Sequence, residues 1–264
     1  MPFVLIKGTY FPGVGTPDGD SVRFAADDIS LWGALEGGIA DPGVNDTVQL
    51  RFEGIDAIEK AAIQPFATRA RDSMLNHIGA EGLGDTPRGY VLSRSTDVHG
   101  RPIAFAFAGE AEEPDGDSIF LDGERLRDSV NFRQVRSGFA YPLYYNTLFR
   151  SLRETFNEAL DEARAQERGY WPRDATMTGV SIEHRSELSV ISPIWPKLWR
   201  RLEEFLRNNE GLDGFLDFIA DSGERADNLL TFEQSSLDDF IEVEGNTVRM
   251  TVDPRNLRVV SVIT

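Results

Sequence analysis

Short extended segments separated by turn residues fill the first half of the chain, and they restrict the fold more than any other feature. Each segment is apolar or alternates between apolar and polar residues, and each is bounded by Gly, Pro, Asp or Asn. The segments are FVLIKGTY, DSVRFAA, TVQLRFEGI, GYVLSR, RPIAFAFAG and SIFLDG. Six strands at this spacing predict a small barrel or sandwich.

Two other segments of this half have helical periodicity. The apolar residues of FATRARDSMLNHIG and of SLRETFNEALDEARAQERGYW recur every three or four positions, which predicts two amphipathic helices packed on the barrel. The Gly-rich stretch over 26–46 fits neither pattern. We expect it to form a hairpin arm or a mobile loop inserted between two strands.

The character of the sequence changes after Trp171, where PRDATMTGVS resembles a linker. Beyond it, SPIWPKLWRRLEEFLRNN and LDGFLDFIAD predict two helices, FIEVEGNTVRMTV predicts a hairpin turning at Gly245 and Asn246, and LRVVSVIT predicts a last strand. The sequence therefore predicts an α+β protein with two domains. A barrel domain spans 1–172, and a small α+β domain of unknown role spans 173–264.

The charge balance limits the partners of this chain. With 44 acidic and 27 basic residues the net charge is −17, which repels nucleic acid and anionic membranes except at a local basic site. The sequence has no cysteine, which excludes disulfides and thiolate-bound zinc. It also lacks a signal-peptide pattern and an apolar stretch of membrane-spanning length. We expect a cytoplasmic protein that does not bind membranes.

The pentapeptide PDGDS occurs at 17–21 and again at 114–118. Asp-Gly is first of all a turn signal, so the residues around each copy decide whether it has a further role. The second copy lies in GEAEEPDGD, where carboxylates crowd together and the next arginine is Arg125. Such a loop repels phosphate, and it predicts a solvated turn between two strands.

The first copy is followed by residues suited to phosphodiester hydrolysis. This reaction needs cations at the phosphate oxygens and a base for the attacking water. Arg51 and Arg101 can each bind phosphate through two hydrogen bonds. Asp20 and Asp56 are oxygen ligands that suit a hard cation such as Ca²⁺. Glu59 follows Asp56 by three residues and can act as a general base.

Each of these residues also has a purely structural explanation. Asp20 and Asp56 are equally compatible with turns or helix caps, Glu59 with the first turn of a helix, and Arg51 with a surface ion pair. The functional prediction therefore depends on the combination.

The motif order supports that combination. DGDSVRF, RFEGIDAIE, HGRPIAFAF, NFRQVRSGFAYPLYY and EARAQERGYW occur in sequence, and together they resemble the staphylococcal nuclease-like (thermonuclease, SNase) family over about residues 3–172. The resemblance implies a five-stranded OB-fold barrel with three helices. It also implies Ca²⁺-dependent cleavage of DNA, RNA or both, leaving 3′-phosphate and 5′-hydroxyl ends.

The resemblance implies a role for each matching residue. The metal site comprises the carboxylates of Asp20 and Asp56, the backbone carbonyl of Ala57, and Asp18 as a more remote or water-mediated partner, while Arg51 and Arg101 bind phosphate and Glu59 is the general base. Three features depart from the family pattern. Ala57 and Ile58 replace Thr-Pro, His99 replaces the aromatic residue of Tyr-Gly-Arg, and the 26–46 insertion lengthens one connection.

These departures, the appended domain and the negative charge leave a second function open. The barrel would then be a catalytically weak or inactive OB-fold module that binds nucleic acid or protein. The second domain either restricts the substrate or recruits a partner protein. Its basic cluster either grips a nucleic-acid strand or forms the solvated edge of a packed helix, which we favour. The cluster comprises Lys197, Arg200, Arg201 and Arg207 beside Trp195 and Trp199.

Overall fold

The computed structural model describes residues 2–38, 40, 42–59 and 62–260, and it shows a mixed α+β fold. The strands are β1 Phe3–Tyr10, β2 Arg23–Ala26, β3 Val48–Gln49, β4 Arg51–Phe52, β5 Ile55–Asp56, β6 Arg88–Thr96, β7 Pro102–Ala108, β8 Ser118–Ile119, β9 Tyr141–Pro142, β10 Tyr144–Tyr145, β11 Val180–Ser181, β12 Arg225–Asn228, β13 Gln234–Ser236, β14 Ile241–Glu244, β15 Thr247–Met250 and β16 Leu257–Val260. The helices are α1 Phe66–Ile78, α2 Gly123–Leu126, α3 Val130–Arg136, α4 Arg150–Ala165, α5 Pro196–Phe205 and α6 Phe215–Asp221.

The largest sheet closes almost completely into a barrel. Its strand order is β3-β2-β1-β6-β7-β4, and β8 pairs with β1. β3 and β4 stand at opposite ends of this order, yet they belong to one extended stretch interrupted only at Leu50. Residues 48 and 49 pair with β2, while residues 51 and 52 pair in parallel with β7. The stretch over 48–52 therefore joins the two edges of the sheet.

Helix α3 is fastened to the barrel by a buried asparagine. The side chain of Asn131 accepts a hydrogen bond from the amide of Ala106 at 3.0 Å and donates to the carbonyl oxygens of Glu53 at 2.9 Å and Ala104 at 3.0 Å. Burying an amide without such partners costs roughly 1–3 kcal/mol. The contacts hold α3 against β7 and against the turn that follows β4.

The described part of the 26–46 insertion is packed against the barrel. A 3₁₀ helix over Ile29–Ala34 buries Trp32, whose ring meets Phe24 edge-on at 6.3 Å between centroids. Beyond it, the backbone amide of Glu36 donates a hydrogen bond to the carbonyl oxygen of Arg94 at 2.8 Å, and the carbonyl oxygen of Glu36 accepts one from the amide of Thr96 at 2.9 Å. Residues 39 and 41 lie outside the described residues. The expected hairpin arm is wrong for the described residues, because the segment pairs with the end of β6.

The helix and hairpin predictions agree well with the structure. Helices α1 and α4 cover most of the two periodic segments, and α1 ends at Gly79 in the left-handed conformation. The predicted C-terminal hairpin is confirmed as β14 and β15, which pair antiparallel around Gly245. The predicted last strand is β16, while residues 261–264 lie outside the described part. None of the described helices is long and apolar enough to cross a membrane.

The segments on either side of the predicted domain boundary share a sheet and a core. Strand β10 pairs in parallel with β16, placing an N-terminal strand beside C-terminal ones. A second apolar cluster joins Ala57, Phe66 and Tyr141 to Trp195 and Leu198. The C-terminal segment is thus packed on the barrel, next to the loop that follows β5.

Candidate functional site

The first PDGDS copy packs closely against the loop after β5. A β-carbon on Gly19 would lie only 2.6 Å from that of Ala57, so this position requires glycine. The carbonyl of Gly19 accepts a hydrogen bond from Gln134 Nε2 at 2.7 Å. Within the turn, the Asp18 carboxylate accepts hydrogen bonds from the Ser21 hydroxyl at 2.6 Å and from the Asp20 amide at 3.3 Å. The backbone therefore sets the direction of Asp18 and Asp20.

The carboxylates of Asp18, Asp20 and Asp56 are brought together by this contact. Asp20 Oδ2 accepts a hydrogen bond from the amide of Ala57 at 3.0 Å, which places it beside the residue that follows Asp56. Partial burial of Asp20, together with repulsion from Asp18 and Asp56, raises the pKa of its carboxyl well above the usual value. The charges of these three carboxylates thus interact, while their arrangement around a shared ion stays a prediction.

Arg51 points towards the acidic cluster, which is formed by Asp18, Asp20 and Asp56. Its guanidinium donates a hydrogen bond to Tyr145 Oη at 2.9 Å and lies 4.9 Å from the centre of the Tyr145 ring. Although burial opposes the charged form, the interactions with Tyr145, Asp56 and Asp20 raise the pKa of Arg51. Arg51 therefore contributes positive charge to the acidic cluster, as its place in the strand predicts.

Arg101 reaches the site through a shared acidic partner, Asp97. The Nε and Nη2 atoms of Arg101 lie 2.8 Å and 2.7 Å from Asp97 Oδ2, while Arg51 Nη1 is 3.9 Å from the same oxygen. The other oxygen of Asp97 accepts from the amides of His99 and Arg101. Burial opposes ionisation of Asp97, but these contacts with Arg101 lower its pKa overall. Asp97 sets the spacing of the two arginines.

Arg200 is the residue that the sequence interpretation places elsewhere. We predicted it at a solvated basic edge, but its guanidinium lies at the acidic cluster. Arg200 Nη1 and Nη2 bind Asp56 Oδ1 and Oδ2, each at 2.9 Å, and Nη1 also binds Glu59 Oε1 at 3.0 Å. Asp56 is only 3% exposed. Glu59 and Asp56 are thus tied by one side chain from the C-terminal segment.

Glu59 lies in a mixed electrostatic environment. Burial raises its pKa, the Arg200 charge lowers it, and the charges of Asp18 and Asp56 raise it again, so the net shift is upwards. An upward shift makes a carboxylate a better proton acceptor near neutral pH. The prediction that Glu59 lies within the site is compatible with these contacts.

The rest of the basic cluster near α5 has structural roles. Lys197 is buried and lies 2.6 Å from Glu224 Oε1, while Arg201 donates to Glu224 and Glu204. Trp195 is 1% exposed and belongs to the second apolar cluster. These contacts agree with the packed-helix interpretation of this segment, with Arg200 as the exception.

The acidic cluster has the oxygen donors that Ca²⁺ prefers, but its present arrangement does not fit a metal ion. Both oxygens of Asp56 are held by the Arg200 fork, and Asp20 Oδ2 is held by a backbone amide. Within the described ranges, no three Asp, Glu or His side chains are grouped so that they can hold a metal. The Ca²⁺ site implied by the resemblance therefore conflicts with the position of Arg200.

Sequence reasoning missed Asp97 and Tyr145, and it placed Arg200 in a basic cluster without its acidic partners. Asp97 begins an Asp-x-x-Gly turn, so a closer interpretation of that turn signal would have drawn attention to it. Tyr145 and Arg200 lie 94 and 144 positions from their partners Arg51 and Asp56, and no local pattern links such distant residues.

Comparison with known proteins does not identify a family. A scan against protein-family models matches none of them, and a search of curated proteins finds no match. The resemblance to staphylococcal nuclease remains a prediction from motif order.

Proposed function

We propose that this chain is a phosphodiesterase that cleaves DNA, RNA or both at the acidic and arginine-lined end of its barrel. The observation that supports this function is the convergence of Asp20, Asp56, Glu59 and Arg51. These side chains come from three separate segments, and electrostatic contacts link them. A carboxylate with a raised pKa beside a half-buried arginine is typical of functional sites.

The proposed fold is the OB type implied by the motif order. Its support is a nearly closed sheet in which one extended stretch pairs with both edges. In this proposal the site lies where that stretch meets the first PDGDS turn.

The proposed roles follow from charge and reach. Arg51 and Arg101, spaced by Asp97, bind the non-bridging phosphate oxygens and stabilise the charge that develops as water adds. Glu59 accepts a proton from the attacking water as the water oxygen bonds to phosphorus. The bond between phosphorus and the 5′ oxygen breaks, and that oxygen takes up a proton from solvent water. Asp20 and Asp56 supply the negative charge of the site. The products carry 3′-phosphate and 5′-hydroxyl ends.

Cleavage of single-stranded DNA, duplex DNA and RNA by the full chain tests this proposal. Glu59→Gln should reduce the rate by about 10²–10⁴-fold, the usual contribution of a general base. The matched control is Glu203→Gln, since Glu203 is a paired carboxylate of α5 outside the site. The same cleavage assays in the presence of a chelator test the Ca²⁺ dependence that the resemblance implies. Wild-type protein that cleaves none of the three substrates at millimolar Ca²⁺ would refute the function.

A specific observation favours the second candidate, a catalytically weak or inactive binding module. Arg200 engages both Asp56 and Glu59, and Asp97 engages Arg101 closely. Such pairing reduces the charge available to a substrate. Binding of an oligonucleotide by fluorescence anisotropy without any cleavage would support this candidate over hydrolysis.

A further inference from the structure

The guanidinium of Arg200 occupies the position beside Asp56 that a bound cation would need. We infer that Arg200 is an intramolecular counter-ion that excludes a divalent cation from Asp56, so that the acidic cluster binds such a cation well only when Arg200 is withdrawn. The inference comes from the disagreement between the ligand set and its present arrangement.

The geometry of the contact makes Arg200 a direct competitor. Its two terminal nitrogens bind the two oxygens of Asp56, each at 2.9 Å, and one of them also binds Glu59. A Ca²⁺ ion needs carboxylate oxygens at about 2.3–2.6 Å. A divalent ion this close to a guanidinium would be strongly repelled, because Asp56 is buried and solvent screens the charges poorly there. The two cations therefore cannot share Asp56.

The C-terminal segment holds Arg200 in this position. The Trp195 amide donates to Thr176 Oγ1 at 2.9 Å, and its indole nitrogen donates to the Pro142 carbonyl at 3.2 Å. Lys197, the second residue of α5, anchors the first turn of the helix by its ion pair with Glu224 at 2.6 Å. Because α5 is fixed at its start, Arg200 projects towards Asp56 without relying on a mobile surface loop.

The Arg200 side of the contact is open to solvent, although withdrawal of Arg200 leaves the buried Asp56 carboxylate without this partner. The Arg200 side chain retains 36% exposure, and it lines a surface pocket of about 350 Å³. That pocket is also lined by Glu203 and Glu204. A guanidinium leaving Asp56 would therefore enter solvent beside the carboxylates of Glu203 and Glu204.

This inference rests on the proposed function only in taking the acidic cluster as the functional site; that Asp56 can bind a cation follows from its carboxylate oxygens. Ca²⁺ binding should be measured on the full chain without nucleic acid, by isothermal titration calorimetry and by the melting temperature as a function of Ca²⁺. We expect Arg200→Gln to bind Ca²⁺ about ten- to hundredfold more tightly than wild type, since a charged hydrogen-bonded contact is lost. Its melting temperature should rise with Ca²⁺ at concentrations that leave wild type unchanged.

Two further variants make the result specific. Arg207→Gln removes an arginine that follows α5 and pairs with Glu203 away from the cluster, so it should bind Ca²⁺ as wild type does. Adding Asp56→Asn to Arg200→Gln should abolish the gained Ca²⁺ response. Arg200→Lys keeps the positive charge but loses the fork, so it provides a folded variant with a smaller gain if Arg200→Gln does not fold.

The outcomes separate this inference from the proposed function. It is overturned if the folded Arg200 variants bind Ca²⁺ no more tightly than wild type, or if wild type binds as tightly as they do. A gain in Ca²⁺ affinity without any cleavage would support the inference and reject the nuclease proposal. Cleavage that depends on Glu59 but is indifferent to Arg200, with unchanged Ca²⁺ affinity, would do the reverse.

Discussion

The two PDGDS copies have the same five residues but very different surroundings. In the first copy, at 17–21, the glycine is buried and the second aspartate is half-buried. In the second copy, at 114–118, the chain turns from β7 towards β8, and Asp117 and Ser118 are exposed. The second copy is thus the turn between strands that the sequence predicts.

Each copy is held by a different set of contacts. In the second, Asp115 Oδ1 accepts from the Lys7 amide at 2.8 Å, and the Gly116 amide donates to the Leu5 carbonyl at 2.8 Å. Those partners are neutral backbone atoms of β1. In the first, the partners are the Gln134 side chain of α3 and the backbone amide of Ala57 in the loop after β5. Identical pentapeptides therefore have different surroundings because different parts of the chain pack against them.

The largest expected difference between the two regions is catalytic. Arg51→Ala should lower kcat/KM for DNA by about 10²–10³-fold, because it removes positive charge aimed at the reacting phosphate. Arg125→Ala is the matched change, since Arg125 pairs with Glu113 near the second copy. We expect Arg125→Ala to leave kcat/KM unchanged, with circular dichroism checking the fold of both variants. Equal losses in the two variants would remove the distinction between the copies.

The second prediction concerns pH, through the network behind the first copy. Gln134, which binds Gly19, accepts from Ser73 Oγ at 2.5 Å, and Ser73 lies 3.3 Å from His77 Nε2. Burial, aided by the charge of Arg133, lowers the pKa of His77 to about 4. The unfolded chain has a pKa of about 6.5 at this residue and binds the proton first as pH falls.

The folded state should therefore lose stability between about pH 6.5 and pH 4 through His77. We expect about 2–3 kcal/mol of the free energy of unfolding to be lost across this window, relative to His77→Gln. Urea unfolding of both proteins at several pH values measures the difference. Parallel stability curves would show that His77 does not titrate as described. The contacts of the second copy named above involve no histidine.

The smallest expected difference concerns the two glycines. Gly19→Ala forces a methyl group to within 2.6 Å of Ala57 and 2.9 Å of Ala70, which should cost about 1–3 kcal/mol of stability. Gly116 has a φ of 84° and faces the flexible Leu31 side chain at 3.2 Å. Gly116→Asn should cost less than about 1 kcal/mol, because Asn tolerates the left-handed conformation. Thermal unfolding that ranks the two variants the other way would contradict this account.

Much of the fold follows from local patterns. Alternation predicts β1 and β7, helical spacing predicts α1 and α4, and Gly245 followed by Asn246 predicts a two-residue turn. These elements depend on backbone geometry and on which side chains share a face within a few residues. The end of α4 was predicted less well, because the helix ends at Ala165, before the end of the predicted segment.

The candidate site was only partly predictable for the same reason. Motif order places Asp20, Asp56 and Arg51 together, and the structure brings them into electrostatic contact. The helical pattern around Arg200 predicts only a packed helix with a basic edge. Nothing within that helix states which acidic residue its guanidinium will meet.

The amino-acid sequence alone determined the alternation of strands and turns, the excess of negative charge and the set of side chains available for chemistry. Only the folded chain decided that Arg200 neutralises Asp56 and that Asp97 spaces two arginines. Local structure depends on neighbours along the backbone, whereas the energy of a charge depends on the distance in space to other charges and on how much water lies between them.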